Sequence, residues 1–301
     1  MVTFIIASAH LPKVGDAVAA VLAQDAAHLI ERVLVLGPDL FEQVPAHPLI
    51  THLPDVAPGP AGPAYNLGLS MARSEFVVLM DADCVLNPDW LTRVQARHAE
   101  GWDVVAGGVD VPPGSYLAVA YNYTTFYGDL SRGPAGPRNF LTTMNLSLRR
   151  SVAAAIGPVR EDIPRWYDTE WTLRMRRAGY RLFFDPSARV RHYPCYVSPA
   201  ILWRTWFASG SVGQMIRRDY ADLLPGGWWM DHPWLLLALA PLAATAVTAR
   251  VLRSDPGSPR LWSVLPVVWM TKLAWCLGAS HGRRRGHLRS AGYRYQVLER
   301  Q

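Results

Sequence analysis

The sequence predicts an α/β protein: a Rossmann-like, mostly parallel sheet flanked by helices, followed by C-terminal hydrophobic helices. Short apolar runs of strand length alternate with stretches of helical spacing over the first two thirds of the 301 residues. After residue 198 the composition shifts, and eight of the twelve Trp lie between Trp203 and Trp275. We expect a catalytic domain at 1–198, an amphipathic connecting segment at 199–230, two hydrophobic membrane helices within 231–280 and a basic tail at 281–301.

The elements of the sheet domain follow from apolar patterning and turn residues. The run VTFIIA at 2–7 is typical of a buried parallel strand, and Pro88-Asp89 is a good first-turn pattern for a helix. Residues 112–138 are rich in Gly, Pro and Tyr, so we expect a mobile surface segment there. The predicted strands are 2–7, 32–36, 49–53, 75–80, 103–109, 140–148 and 181–185, and the predicted helices are 14–24, 64–73, 88–99, 150–156 and 168–178.

Charge and cysteine usage exclude some classes of protein. The net charge is +6, but basic and aromatic residues are not interleaved as a nucleic-acid stacking groove requires, so no nucleic-acid partner is expected. The three cysteines, Cys84, Cys195 and Cys276, have no CxxC spacing. We therefore expect neither a disulfide framework nor a structural zinc site, and we expect a reducing compartment.

The C-terminal third indicates membrane association. Residues 232–249 carry no formal charge with His232 neutral, and 261–280 contain only Lys272, so each is near the roughly 20 residues that cross a bilayer. The Arg283–Arg285 cluster then predicts the cytoplasmic membrane, with the catalytic domain facing the cytoplasm. Arginines between the two stretches conflict with a linker on the outside. A hairpin in one leaflet, amphipathic helices lying on it, or a packed helical cap on the enzyme are the alternatives.

Asp81-Ala82-Asp83 follows the apolar run at 75–80. Alternation along an extended chain points the carboxylates of Asp81 and Asp83 to the same side. Two close carboxylates repel unless a cation lies beside them, and hard oxygen ligands suit Mg²⁺ or Mn²⁺, which suit phosphate oxygens in turn. The alternative is that one Asp caps the next turn and the other is solvated.

An ordered set of motifs gives this tripeptide a context. In residues 2–195 the sequence resembles the inverting family 2 glycosyltransferases of the GT-A fold. The resemblance rests on NLGL at 66–69, SEFVVLMDAD at 74–83, NPDWL at 87–91, NLSLRR at 145–150, YDTEWTLR at 167–174, RAGY at 177–180, Asp185-Pro186 and His192.

The resemblance implies a role for each matching residue. Asp81 is expected at the ribose or the metal shell, Asp83 as a direct ligand of Mn²⁺ or Mg²⁺, and Asp168 as the general base. His192 is expected to complete the metal site, with a structural role at a strand end as the alternative. For Asp168 the alternative is a helix N-cap, and Glu170 is then the substitute base. The expected donor-binding residues are Ala7, Asp39, Asn66, Asp81, Ala82 and Asp83.

The sequence departs from the family pattern in two places. The second strand ends Leu36-Gly37-Pro38-Asp39 in place of an acidic pair, and Tyr167 stands where the family has the first carboxylate of "ED". We predict an inverting transferase that moves sugar from a UDP- or dTDP-sugar to a hydroxyl of a glycan, lipid or small-molecule acceptor. A membrane-anchored nucleotide-sugar-binding protein without turnover is the alternative. A Rossmann oxidoreductase is disfavoured because no GxGxxG follows the first strand.

Overall fold

A computed structural model describes residues 1–8, 13–39, 42–57, 59–195, 198–224 and 226–284. Within these residues nine strands form a sheet of order β3-β2-β1-β4-β8-β6-β9-β5, with β7 beside β9. The strands are β1 (Val2–Ala7), β2 (Ile30–Leu36), β3 (Ile50–Leu53), β4 (Phe76–Asp81), β5 (Cys84–Leu86), β6 (Val104–Asp110), β7 (Gly136–Pro137), β8 (Asn145–Arg149) and β9 (Leu182–His192). The helices are α1 (Val14–Leu22), α2 (Gly62–Met71), α3 (Trp90–Ala99), α4 (Tyr116–Phe126), α5 (Arg150–Ile156), α6 (Tyr167–Arg177), α7 (Pro199–Asp219), α8 (Pro233–Ala238), α9 (Ala240–Ser254) and α10 (Pro259–Arg284).

The expected α/β class is confirmed, but the sheet is mixed rather than mostly parallel. β3, β2, β1 and β4 run parallel, and β6 is parallel to β9. β8 lies antiparallel between β4 and β6, while β5 and β7 pair antiparallel with β9. The error has a physical source: a run of buried apolar residues looks the same in either strand direction once both faces of the sheet are covered.

Two hydrophobic layers sandwich the sheet. On one face, side chains of α1 and α3 pack against alternate residues of β1, β2 and β4, and the fully buried ring of Trp90 lies in this layer. On the other face, α2, α5 and α6 pack on the remaining residues of the same strands, around the buried Trp171. Because both faces are covered, β1 is buried along its whole length.

The expectation of a mobile surface segment at 112–138 is wrong for its central part. Residues 116–126 form α4, capped by the Ser115 hydroxyl, which accepts the N–H of Ala118. Val119, Ala120 and Tyr123 of α4 are buried in a cluster with Leu261 and Val264 of α10. The aromatic residues that suggested a loop therefore serve as packing surface against a helix far away in sequence.

The C-terminal third is helical and packs on the sheet domain. Of the two predicted hydrophobic spans, only Pro259–Gly282 of α10 is long and apolar enough among the described residues to cross a bilayer, with a mean hydropathy of 1.3. The other region is divided into α8 and α9 at Leu239, just before Pro241. Residues 285–301, and the side chains of Arg283 and Arg284, lie outside the described part, so the predicted basic cluster is not described.

Candidate active site

The Asp81-Ala82-Asp83 tripeptide lies where the central strand β4 ends. Parallel pairing aligns Ala7 of β1 with both Asp81 and Leu36 of β2, so these strand ends share one edge of the sheet. The carbonyl of Ala7 accepts the N–H of Ala82 at 3.1 Å. Ala7 therefore contributes its backbone to this turn, and the buried methyl of Ala82 leaves the two flanking carboxylates to form the site.

Asp81 has a partner that the sequence analysis missed. The hydroxyl of Tyr65, on α2, donates to Asp81 Oδ1 at 2.5 Å. Burial raises the pKa of Tyr65 well above its usual value, so the phenol remains a donor at neutral pH. Burial, together with the neighbouring Asp83 carboxylate, raises the pKa of Asp81. The NLGL pattern starts at Asn66, one residue after Tyr65, so the sequence analysis did not single out this tyrosine.

Asp83, Cys84 and His192 form a candidate cation site. Their ligand atoms all lie within 4.8 Å of one another. His192 Nε2 is 3.4 Å from Asp83 Oδ2, and the Cys84 thiol lies 3.9 Å from Asp83 Oδ1. All three side chains are largely buried, and burial raises the pKa of the Asp83 carboxyl.

The amide of Asn122 fixes the orientation of His192. Asn122 Nδ2 donates to the backbone carbonyl of His192 at 3.1 Å, which leaves its Oδ1 to face His192 Nδ1 at 2.6 Å. The reverse amide orientation would bring two acceptors, Asn122 Oδ1 and the His192 carbonyl oxygen, together. Nδ1 therefore carries the ring proton, and Nε2 presents its lone pair towards Asp83.

The imidazole of His192 is neutral at pH 7. Burial lowers its pKa to about 4. The ring is stacked on Tyr121 and meets the edge of Phe126, which hold it in place. When the Asp83 carboxyl is ionised, its oxygen and the unprotonated Nε2 are two acceptors opposed at 3.4 Å, and either a proton on the carboxyl or a divalent cation between the two atoms relieves this arrangement. The residues present therefore fit such an ion.

Asp168 lies in the first turn of α6. The N-cap of this helix is Trp166, so the capping alternative does not describe Asp168. Its Oδ1 accepts the N–H of Thr169 at 2.7 Å. Burial raises the pKa of the Asp168 carboxyl, while the nearby Arg165 guanidinium opposes the rise. Trp166 has a φ of 64°, a left-handed conformation that is rare outside glycine, immediately before this segment.

The Glu170 carboxylate is engaged in a hydrogen bond and an ion pair within the protein. Its buried carboxylate accepts a hydrogen bond from the Tyr220 hydroxyl at 2.8 Å and pairs with Arg174 at 3.1 Å. Both interactions hold α6 in place, one of them through the residue that follows α7. The structure therefore disfavours Glu170 as a substitute base.

The remaining two predicted donor-binding side chains are engaged in local structure. The Asn66 amide donates to the Val159 carbonyl and Glu161 and accepts the N–H of Val159. Asn66 also lines a cavity of about 510 Å³, whose lining includes neither Asp81, Asp83 nor Asp168. The Asp39 carboxylate accepts the N–H of Val44 at 2.6 Å. Any donor contact from Asn66 or Asp39 has to compete with these bonds.

Comparison with known proteins identifies a family model that matches part of the chain. Residues 59–157 match the model of glycosyl transferase family 2, which covers α2, the Asp81–Asp83 turn and α4. Over these residues the match confirms the expected resemblance to the family 2 glycosyltransferases.

One curated relative and one solved structure are similar to this chain. Glycosyltransferase AglE of Haloferax volcanii is 30% identical over 122 residues, which are 40% of this chain and 40% of that protein. The chain thus aligns with less than half the length of this curated relative. Among solved structures, residues 1–349 of TarS from S. aureus are 12% identical, with 95% of this chain and 92% of that chain covered and a TM-score of 0.49.

Proposed function

We propose that the protein is an inverting glycosyltransferase that moves a sugar from a nucleotide-diphosphate donor to an acceptor hydroxyl. The observation that carries this proposal is the contact between Asp83, which lies in the region that matches glycosyl transferase family 2, and the oriented, neutral His192 at the end of β9. A UDP- or dTDP-sugar is the proposed donor. The proposed acceptor is a glycan, a lipid or a small molecule at a cytoplasmic membrane face.

Asp83 and His192 would hold the divalent cation. Between the two ions considered, the imidazole nitrogen favours Mn²⁺, because Mg²⁺ prefers oxygen ligands alone. When bound, the cation supplies charge neutralisation for the departing diphosphate. Asp81, held by the Tyr65 hydroxyl, is proposed to contact the nucleotide or the metal shell.

Asp168 is proposed as the general base. In inversion the acceptor oxygen attacks the anomeric carbon from the face opposite the leaving diphosphate, and its proton passes to a carboxylate. Burial of Asp168 and its raised pKa make its carboxylate a stronger base than a solvated one. The engagement of Glu170 with Tyr220 and Arg174 leaves Asp168 as the better candidate on this turn.

A panel of UDP- and dTDP-sugars with Mn²⁺ tests the proposal through donor hydrolysis and transfer. We expect Asp83→Ala and Asp168→Asn to abolish turnover and to leave the circular dichroism spectrum unchanged. Asp162→Asn is the matched control. Asp162 lies six residues before Asp168, and its exposed carboxylate forms an ion pair with Arg160. Wild-type turnover by Asp83→Ala or Asp168→Asn would contradict the proposal. Donor binding without turnover by any form would support the binding-protein alternative.

A further inference from the structure

The apolar helix α10 is enclosed by protein on several sides. Towards its N-terminal half, the Ser263 carbonyl accepts a hydrogen bond from Tyr116 of α4, and Thr271 bonds Thr124 of the same helix. Lys272 is buried and donates to the carbonyl of Thr124 at 2.7 Å. A bilayer around α10 would have to displace α4, which also carries the Asn122 that orients His192.

The C-terminal half of α10 packs tightly on α7. A Cβ on Gly278 would lie 1.8 Å from the carbonyl oxygen of Phe207, and one on Gly210 would lie 2.0 Å from that of Trp275. The two helices therefore approach at backbone contact distance. On a third side the Ser280 hydroxyl donates to the Pro233 carbonyl at the start of α8. In this arrangement the C-terminal half of α10 is the inner helix of a bundle.

The face that is left uncovered lies on α8 and α9. Exposed residues recur there at spacings of three and four, which is one face of a helix. In order along the chain these residues are Trp234, Ala238, Pro241, Leu242, Thr245 and Ala246. Trp234 is 63% exposed and Leu242 is 69% exposed. A water-facing helix would carry polar residues here, whereas all six except Thr245 are apolar, so this apolar stripe indicates a binding surface.

The surroundings of the apolar stripe point to the nature of that partner. The stripe continues into the exposed Arg250 and Arg253, and Arg260 is exposed just beyond the turn after α9. Residues 232–254 contain no acidic residue. Trp228 and Trp262, 72% and 54% exposed, stand before and after these two helices. Apolar side chains flanked by Trp and Arg match the boundary between acyl chains and anionic headgroups.

We propose that the apolar stripe on α8–α9 docks the protein on an anionic lipid bilayer, with α10 held inside the protein as a support and not as a transmembrane helix. The stripe would enter the interface to the depth of its side chains, and Arg250 and Arg253 would contact lipid phosphates. This attachment is independent of the chemistry at Asp83 and Asp168.

Flotation of the full chain with phosphatidylcholine vesicles, with and without phosphatidylglycerol, tests the docking face. We expect binding that requires phosphatidylglycerol, weakens with salt and falls roughly tenfold or more in Leu242→Glu, since burying one Leu side chain is worth about 1.5–3 kcal/mol. Leu67→Glu is the matched control, because Leu67 is a comparably large exposed side chain on α2, and it should bind vesicles like the wild type.

Each of four results would overturn the docking proposal. The first is a wild-type chain that does not float with either vesicle, and the second is equal flotation of Leu242→Glu and wild type. The third is native membranes that keep the protein through alkaline carbonate, which would make α10 a true span. A change of oligomeric state in Leu242→Glu without vesicle binding would assign the stripe to a second copy of the chain. Donor binding in Mn²⁺ is expected to be unchanged in Leu242→Glu, so failure here is separable from failure of the proposed enzymatic function.

Discussion

A substitution of Asn122 tests the candidate cation site selectively, because Asn122 contacts that site only through its hydrogen bonds to His192. Asn122→Leu keeps most of the side-chain volume and removes both hydrogen bonds to His192. Losing them leaves the buried Nδ1–H and a buried carbonyl without partners, so unfolding free energy should fall by about 2–4 kcal/mol. The imidazole also loses the acceptor that fixes its tautomer, which should weaken Mn²⁺ binding about 10–100-fold.

Calorimetric titration with Mn²⁺, beside urea unfolding, separates these two effects. Gln24→Leu is the matched control: Gln24 is a buried carboxamide bonded to Ala20, Asn87 and Leu91, so its loss should reduce stability and leave Mn²⁺ affinity unchanged. Asn122→Asp retains an acceptor for Nδ1–H and should keep its affinity for Mn²⁺. A folded Asn122→Leu with wild-type Mn²⁺ affinity would refute the reasoning, as would an Asn122→Asp that binds as weakly as the Leu variant.

Further predictions concern the base, its helix and the buried histidine. Because burial raises the pKa of Asp168, turnover should rise with pH as this carboxyl ionises, and a flat profile in the acidic range would argue against it. Tyr220→Phe removes a partner of the buried Glu170 and should lower unfolding free energy by about 1–3 kcal/mol in urea, while an unchanged midpoint would show the bond to be dispensable. Burial lowers the pKa of His98 from 6.5 to about 4. As the pH falls, this imidazole is therefore protonated in the unfolded chain before it is protonated in the folded protein. The contribution of neutral His98 to the free energy of unfolding is fully present above pH 6.5 and is lost as the pH falls towards 4. Over that range the free energy of unfolding of His98→Gln should depend less on pH than that of the wild type.

Much of the sheet could be predicted from local pattern. β1 and α5 match the predicted ranges 2–7 and 150–156, and β4 differs from 75–80 by one residue at each end. Buried strands of uniform apolarity carry their own signal, whatever their neighbours are. Strand direction does not, because it depends on which distant segment pairs with which, and this is why the antiparallel placement of β8 was missed.

In the candidate site, too, residues in local motifs could be predicted from the sequence, whereas a residue that acts through a distant contact could not. Asp81, Asp83 and Asp168 could be selected because they lie in local motifs at the ends of elements. Asn122 could not, since it meets His192 across 70 residues of chain and lies in a segment whose Gly and Pro content indicated a loop. The local signal that could have found its helix is the spacing of the buried apolar residues Val119, Tyr123 and Phe126, which lie four and three residues apart.

The burial of α10 also depends on residues that are distant in sequence. Composition alone finds an apolar stretch of membrane-spanning length at Pro259–Gly282. Only the packing of α4 and α7 against it, through contacts such as Lys272 with Thr124 and Gly278 with Phe207, distinguishes an inner helix from a lipid-facing one. Hydropathy is a property of the segment, whereas burial is a property of the whole fold.

The central claim is that Asp83 and His192 together hold a divalent cation on which donor binding depends. Calorimetric titration of the full chain with a UDP- or dTDP-sugar, with Mn²⁺ or with chelator, tests it directly. We expect donor binding in Mn²⁺, its loss in chelator and its loss in Asp83→Ala even with Mn²⁺ present. Donor binding of equal affinity with and without Mn²⁺, unaffected by Asp83→Ala, would contradict it.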